Sequence, residues 1–264
     1  MAVSAPRAAA LAAAEQRARA DIRARLVQYA TSVWGSLGSW RDEDIDRFVE
    51  VLVPRLVGAQ LSVARLTDVY LAALTGIAPA GVSIDVTQLR GGIPPEEVYR
   101  RPSVAMRSVL AAGGTFPDAL AAGTTRLKYL VRTDLQLAMT HQARQTQRGA
   151  GVQAYRRTLT GRENCGLCAV ASTQRYWVSD LSPIHPGCDC GVAPLGPDEA
   201  PDQVIDADLL ESVHDAVERF VGDSDRGARA PDYRELVVVR EHGEYGPILT
   251  WRDDRFTSAA DLAA

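Results

Sequence analysis

Apolar residues in the first part of the chain recur at helical intervals. Ile22, Leu26, Tyr29 and Val33 are spaced by four, three and four, and Arg17, Arg19, Arg23 and Arg25 take the other faces. This is the pattern of an amphipathic helix. The stretch Trp34–Trp40, with two glycines, is expected to end it. A second run, Phe48, Leu52, Leu56, Ala59, Val63, Leu66, Tyr70 and Leu74, follows Ser39 and the acidic group Asp42, Glu43 and Asp44. Acidic residues suit a helix start because their charge complements the helix dipole. Pro54 lacks an amide hydrogen and is expected to kink or restart this helix.

From Ile77 to Phe116, glycines and prolines cut the chain into short segments, of which Pro94–Ala112 reads as helical. The region is expected to be a connector without a core of its own. Helical period returns at Leu127, Val131, Leu135 and Met139, and this helix is expected to continue towards Tyr155 past Gly149 and Gly151. Pro194–Pro201 reads as a turn-rich linker and Ala207–Phe220 as a short helix broken at Arg226–Pro231. Leu236–Arg240 and Pro247–Trp251 read as the strands of a hairpin, with a loosely ordered tail after Arg252. The predicted fold is mainly α with a small α+β C-terminal part. Its expected segments are a helical region over 1–118, a core carrying a Cys/His knuckle over 119–196, and a helix with a β-hairpin over 197–264.

At 264 residues and 46% hydrophobic, the chain can bury a substantial core. A net charge of -4 gives no global reason to bind nucleic acid, so any basic patch must be local. The longest apolar stretches, Leu71–Ala80 and Val109–Gly114, fall short of the ~20 residues that cross a bilayer, and no membrane partner is expected. Met1–Ala14 is alanine-rich, lacks the apolar centre of a secretory signal, and points to synthesis in a cytoplasm.

All four cysteines lie between positions 165 and 190, too local for disulfides stapling a whole fold. Cys165-x2-Cys168 and His185-Pro186-Gly187-Cys188-Asp189-Cys190 offer five candidate ligands. Zinc takes four in a closed tetrahedral site, so one of the five should be spare, and the zinc would be structural because no position stays open for substrate. The rival readings are disulfides, free thiols, or a redox Cys-x2-Cys, the last of which needs a βαβ setting that the pattern lacks. A cysteine nucleophile paired with His185 or His141 has no further support, and P-loop, G-x-S-x-G and G-x-G-x-x-G signatures are absent. His214 and His242 read as surface or satisfied polar residues.

Arg126, Lys128, Arg132, Arg144 and Arg148, followed by Arg156 and Arg157, form the one stretch where a nucleic-acid or portal contact is attractive. The plainer reading is a solvated face paired with Asp134 and nearby acids.

The order of these elements resembles the MuF-like minor capsid proteins of tailed bacteriophages, the head-morphogenesis family related to protein F of phage Mu. The resemblance rests on the basic helix Thr125–Arg148 with its Arg132-Thr133-Asp134 step, then Cys165-x2-Cys168, Tyr176-Trp177, His185-x2-Cys188-x-Cys190 and Pro194. It covers residues 120–196 directly; the ending Ala207–Trp251 is similar to relatives from actinobacterial phages. The resemblance implies a non-enzymatic, low-copy protein of the virion, in the capsid interior or at the portal vertex. Its implied partners are the portal protein, the major capsid protein and packaged DNA. Two readings from other classes stand beside it: a nucleic-acid-binding zinc protein, and a cysteine hydrolase or ADP-ribosyltransferase-like enzyme.

Overall fold

The computed structural model describes residues 3–159, 163–185, 190–196, 202–222, 233, 237–242 and 246–251. As expected, the chain is mainly α-helical with a small α+β part towards the C-terminus. It divides into two compact units, Arg17–Thr146 with His185–Gly187, and Met1–Gln16, Gln147–Ile184 with Cys188–Ala264.

Helix α1 runs Ala5–Gly35, longer than its apolar period announces, because the alanines before it have the highest helix propensity of any residue. Helix α2, Asp42–Thr75, starts at the acidic triplet and passes through Pro54 without restarting. Pro54 is exposed, so the carbonyl it leaves without an amide partner can take water instead. Between them Trp40 adopts φ 51, a strained value for a bulky residue. Its ring packs edge-on against Trp34 at 6.5 Å and Phe116 at 5.4 Å. Trp34 in turn meets Phe48 at 5.3 Å.

Helix α3 spans Pro95–Val98, α4 spans Arg101–Ala111, and α5 spans Phe116–Gly149. Gly123 is where α5 comes close to its neighbours: an added Cβ would lie 2.8 Å from the Trp34 ring and 3.1 Å from the Pro102 carbonyl oxygen. The expected connector is held by buried polar groups of this unit. Asp68 accepts from the amides of Ala80 and Gly81 at 3.2 and 2.8 Å and from the Thr146 hydroxyl at 2.6 Å. Asp134 of α5 accepts from Arg90 at 2.5 Å and from the Tyr99 hydroxyl at 2.7 Å. The connector also contributes Val98, Tyr99 and Met106 to the core of the helical unit.

The long helix does not reach Tyr155. Gly151 turns the chain at φ 72, and the amides of Gly151 and Val152 close on the carbonyls of Arg148 and Gln147. Tyr155 instead lies in strand β1, Ala154–Thr158. Strand β3, Arg175–Trp177, and strand β4, Gly191–Leu195, flank β1 in an antiparallel sheet of order β3-β1-β4. The linker expected from Pro194 therefore begins as sheet, with Pro194 opposite Tyr155. Strand β2, Glu163–Cys165, runs into helix α6, Gly166–Ser172.

Helix α7, Ala207–Val221, is capped by Asp206, whose carboxylate accepts from the Leu209 amide at 3.0 Å. Its Val213, Ala216 and Val217 pack with Ala169 and Val170 of α6 and with Tyr233. The expected hairpin forms as β5, Val237–His242, against β6, Gly246–Trp251, and β2 joins it as a third strand. The break expected at Arg226–Pro231 and the tail after Arg252 lie outside the described residues.

Candidate metal centre

Strand β2 ends at Cys165, which keeps an extended backbone (φ -68, ψ 159) as the residue before α6. The first turn of α6 then brings Cys168 back beside it, since residues three apart share a helix face. Their sulfurs are 3.3 Å apart. That is too long for a disulfide of about 2.05 Å and about half an ångström short of the ~3.8 Å edge that two sulfurs span on one zinc ion. Among the described residues, Cys165, Cys168 and Cys190 are in no disulfide. Cys168 and Cys190 are 2% and 1% exposed and share a buried cluster with Leu159, Cys165 and Ile184.

His185 has its backbone carbonyl fixed by the side-chain amide of Gln136, which donates at 3.0 Å. A ring nitrogen of His185 and the sulfurs of Cys165 and Cys168 all lie within 4.8 Å of one another, a group that could hold a metal ion. Two thiolates and an imidazole suit zinc better than the hard cations, which prefer oxygen. Of the five expected ligands, the structure gathers these three, buries Cys190 in the same cluster, and leaves Cys188 outside the described residues.

Arg157, read from the sequence as part of the basic stretch, belongs instead to this region. Burial alternates along β1, so Tyr155 and Arg157 face inward while Arg156 faces out. The Arg157 guanidinium reaches the Cys190 sulfur at 3.7 Å, the Tyr155 hydroxyl at 3.4 Å and the Ser182 carbonyl. It also lies 5.7 Å from the Tyr155 ring centroid and 5.6 Å from that of Tyr176. Burial pushes the Tyr176 hydroxyl up to about 12, with Arg157 pulling the other way. Tyr155 is raised for the same first reason. Both rings therefore stay neutral near pH 7 and leave the guanidinium as a full positive charge beside Cys190. The period-2 alternation of Ala154–Thr158 could have revealed the placement, but five residues beside a glycine-rich turn make a weak strand signal.

The other candidates are distributed. Arg126, Lys128, Arg132, Arg144 and Arg148 all lie on α5 but not on one stripe. At about 100° per residue, Arg126, Arg144 and Arg148 fall within about 40° of each other, and Lys128 and Arg132 point about 120–160° away. Asp134, expected to pair with them, is buried against Arg90 and Tyr99 instead. His214 is a satisfied buried histidine, its Nδ1 2.8 Å from the Tyr233 hydroxyl, whereas the side chain of His242 lies outside the described residues. Burial holds His141 below the usual imidazole range, helped by the nearby Arg144 charge.

Comparison of the chain with known protein families, with curated proteins and with solved structures finds no match.

Proposed function

We propose that the chain is a structural protein of a tailed-bacteriophage head, a minor capsid protein that joins the portal vertex or capsid interior during assembly and is not an enzyme. A structural zinc ion sets its C-terminal part. The observation that carries the zinc reading is the convergence of unbonded Cys165 and Cys168 sulfurs with a ring nitrogen of His185. Thiols and imidazole are Lewis bases that gain little from one another, and a cation gives their convergence a purpose. Cys190 or Cys188 would supply the fourth donor. With three thiolates and one imidazole the centre carries net negative charge, which the Arg157 guanidinium would offset.

The virion reading is supported by the order of elements around this centre: a basic helix, the Cys-x2-Cys turn, Tyr176-Trp177, and then the His/Cys limb. The non-enzymatic reading is supported by burial, Cys168 being 2% and Cys190 1% exposed. A bound zinc ion would contribute fold, holding the α6 turn against the limb that carries His185.

Two measurements test this in order. Elemental analysis of the purified chain should give one zinc per chain, with thiols becoming reactive only after a chelator is added. No metal in protein purified without chelator, together with thiols freely reactive from the start, would remove the zinc reading. For the assembly reading, mass spectrometry of purified particles of the phage that encodes the chain should find it at low copy beside the portal protein. Its absence from both procapsids and virions would overturn that reading whatever the zinc result.

A further inference from the structure

The register of the sheet β3-β1-β4 separates two faces. Tyr155 lies opposite Tyr176, and the two rings stack at 5.4 Å on the buried side beside Arg157. Alternation then puts Arg156, Arg175 and Trp177 on the outer side, with Arg156 directly opposite Arg175 and Trp177 opposite the small residue Ala154. Trp177 is 50% exposed, unusual for the largest apolar side chain. The Arg175 guanidinium lies 4.7 Å from its ring centroid.

The charged side chains that β1 and β3 place on this face are Arg156 and Arg175. Strands β1, β3 and β4 carry no carboxylate in their sequences. At the Trp177 end, the sheet borders an open groove of 200 Å³ lined by Arg148, Val152, Gln153, Trp177, Val178 and Ser179. The groove has room for a planar ring and supplies an amide and a hydroxyl at its edge. Its shape is fixed by the Val178 amide, which donates to the Gln153 carbonyl at 2.9 Å.

We propose that this outer face binds single-stranded nucleic acid, with a base stacked at Trp177 and the phosphates running along Arg148, Arg156 and Arg175. An exposed aromatic ring interleaved with arginines on a sheet surface is the combination that takes unpaired bases and their backbone together. A duplex keeps its bases stacked on each other and offers Trp177 nothing. An acidic protein segment would use the arginines without using the ring. The proposal goes beyond the assembly reading and does not depend on the metal: Trp177, Arg156 and Arg175 are none of the candidate ligands.

The test is fluorescence anisotropy of a labelled oligothymidylate about twenty nucleotides long, titrated with the full chain. Three phosphate contacts predict a log–log salt slope of about -2, from roughly -0.7 per contact on a single strand. Trp177→Ala should weaken binding about tenfold or more, and Trp177→Phe should restore most of it. Arg156→Ala should lower the slope by about 0.7. Because Arg156 is exposed, Arg156→Glu provides a second variant that keeps the fold if Trp177→Ala does not. No binding at low salt would overturn the proposal. So would wild-type affinity in a folded Trp177→Ala protein, or displacement by polyglutamate as effective as by unlabelled oligothymidylate, which would make the face a general anion surface.

Discussion

Two polar constellations of the molecule are chemically opposite. In the helical unit, Arg90, Asp134 and Tyr99 bring together a cation, an anion and a hydroxyl, each of which satisfies another. The group at Cys165, Cys168 and His185 instead brings together donors of electron pairs. The first is closed by its own charges. The second makes energetic sense when something positive sits among its members. The apolar surroundings differ in step. Long helices bury Trp34, Phe48, Leu52, Leu56 and Leu127 in the first unit, whereas short strands and the seven-residue α6 leave small residues such as Ala169, Ala171 and Ala193 to form much of the second. A small core of that kind commonly needs a cross-link or a metal.

On the proposed zinc reading, the largest expected effect follows from removing the ion. Structural zinc sites contribute about 10 kcal/mol or more in small domains, so a chelator should open the C-terminal unit and leave the helical one closed. Hydrogen exchange resolves this by segment. Amides of β1, β3, β4 and α6 should lose protection while those of α2 and the middle of α5 keep theirs. Cys168→Ser should reproduce the pattern without chelator. Cys188→Ser and Cys190→Ser should differ, the one that loses zinc being the fourth ligand. Uniform loss of protection in both units would erase the contrast between them.

A smaller effect tests the other constellation. Asp134→Ala strands the Arg90 guanidinium and the Tyr99 hydroxyl and should cost about 3–5 kcal/mol of the helical unit's stability, with zinc content unchanged. Asp134→Asn keeps a hydrogen-bonding group and should cost less. The pH dependence adds a sign. Burial raises the Asp134 carboxyl above its ordinary value of 3.8, with Arg90 and the Tyr99 hydroxyl pulling it back only in part. A carboxyl raised on folding gives its stabilisation fully below the unfolded value and loses it as pH climbs through the folded one. Relative to Asp134→Asn, the wild type should therefore lose stability between about pH 4 and the raised value and stay level above it, as read in denaturant melts. A trend of the opposite sign would mean that the ion pair with Arg90 outweighs burial.

These constellations were not equally legible in the sequence. The helices announced themselves because α2 and α5 repeat apolar residues over many turns, a signal that survives even Pro54. The Cys/His candidates were equally plain, since their residue types have few other reasons to cluster. The Arg90–Asp134 pair was hidden because its members are 44 positions apart, and nothing local ties a connector arginine to a helix aspartate. The sheet β3-β1-β4 was missed because its strands are three to five residues long, too short for alternation to stand out from a turn. The placement of Arg157 and Trp177, both already named from the sequence, went with it, because which face each takes is defined only once the strands are paired.

On the same zinc reading, the smallest effect separates folding around the ion from binding at a site already folded. The Asp206 carboxylate caps α7 by accepting from the Leu209 amide, and replacing such a cap with alanine costs about 1 kcal/mol. Helix α7 packs on α6, the helix that carries Cys168, through Val213, Val217, Ala169 and Val170. If zinc binding and folding are one event here, destabilising α7 must weaken the metal. A loss of 1 kcal/mol then appears as about a fivefold drop in zinc affinity in a competition titration with a coloured chelator. If the Cys/His group is organised before the ion arrives, Asp206→Ala should lower the melting temperature and leave the affinity where it was. The helical unit, whose constellation closes without an ion, offers the control: Asp134→Asn should change the melt and not the titration.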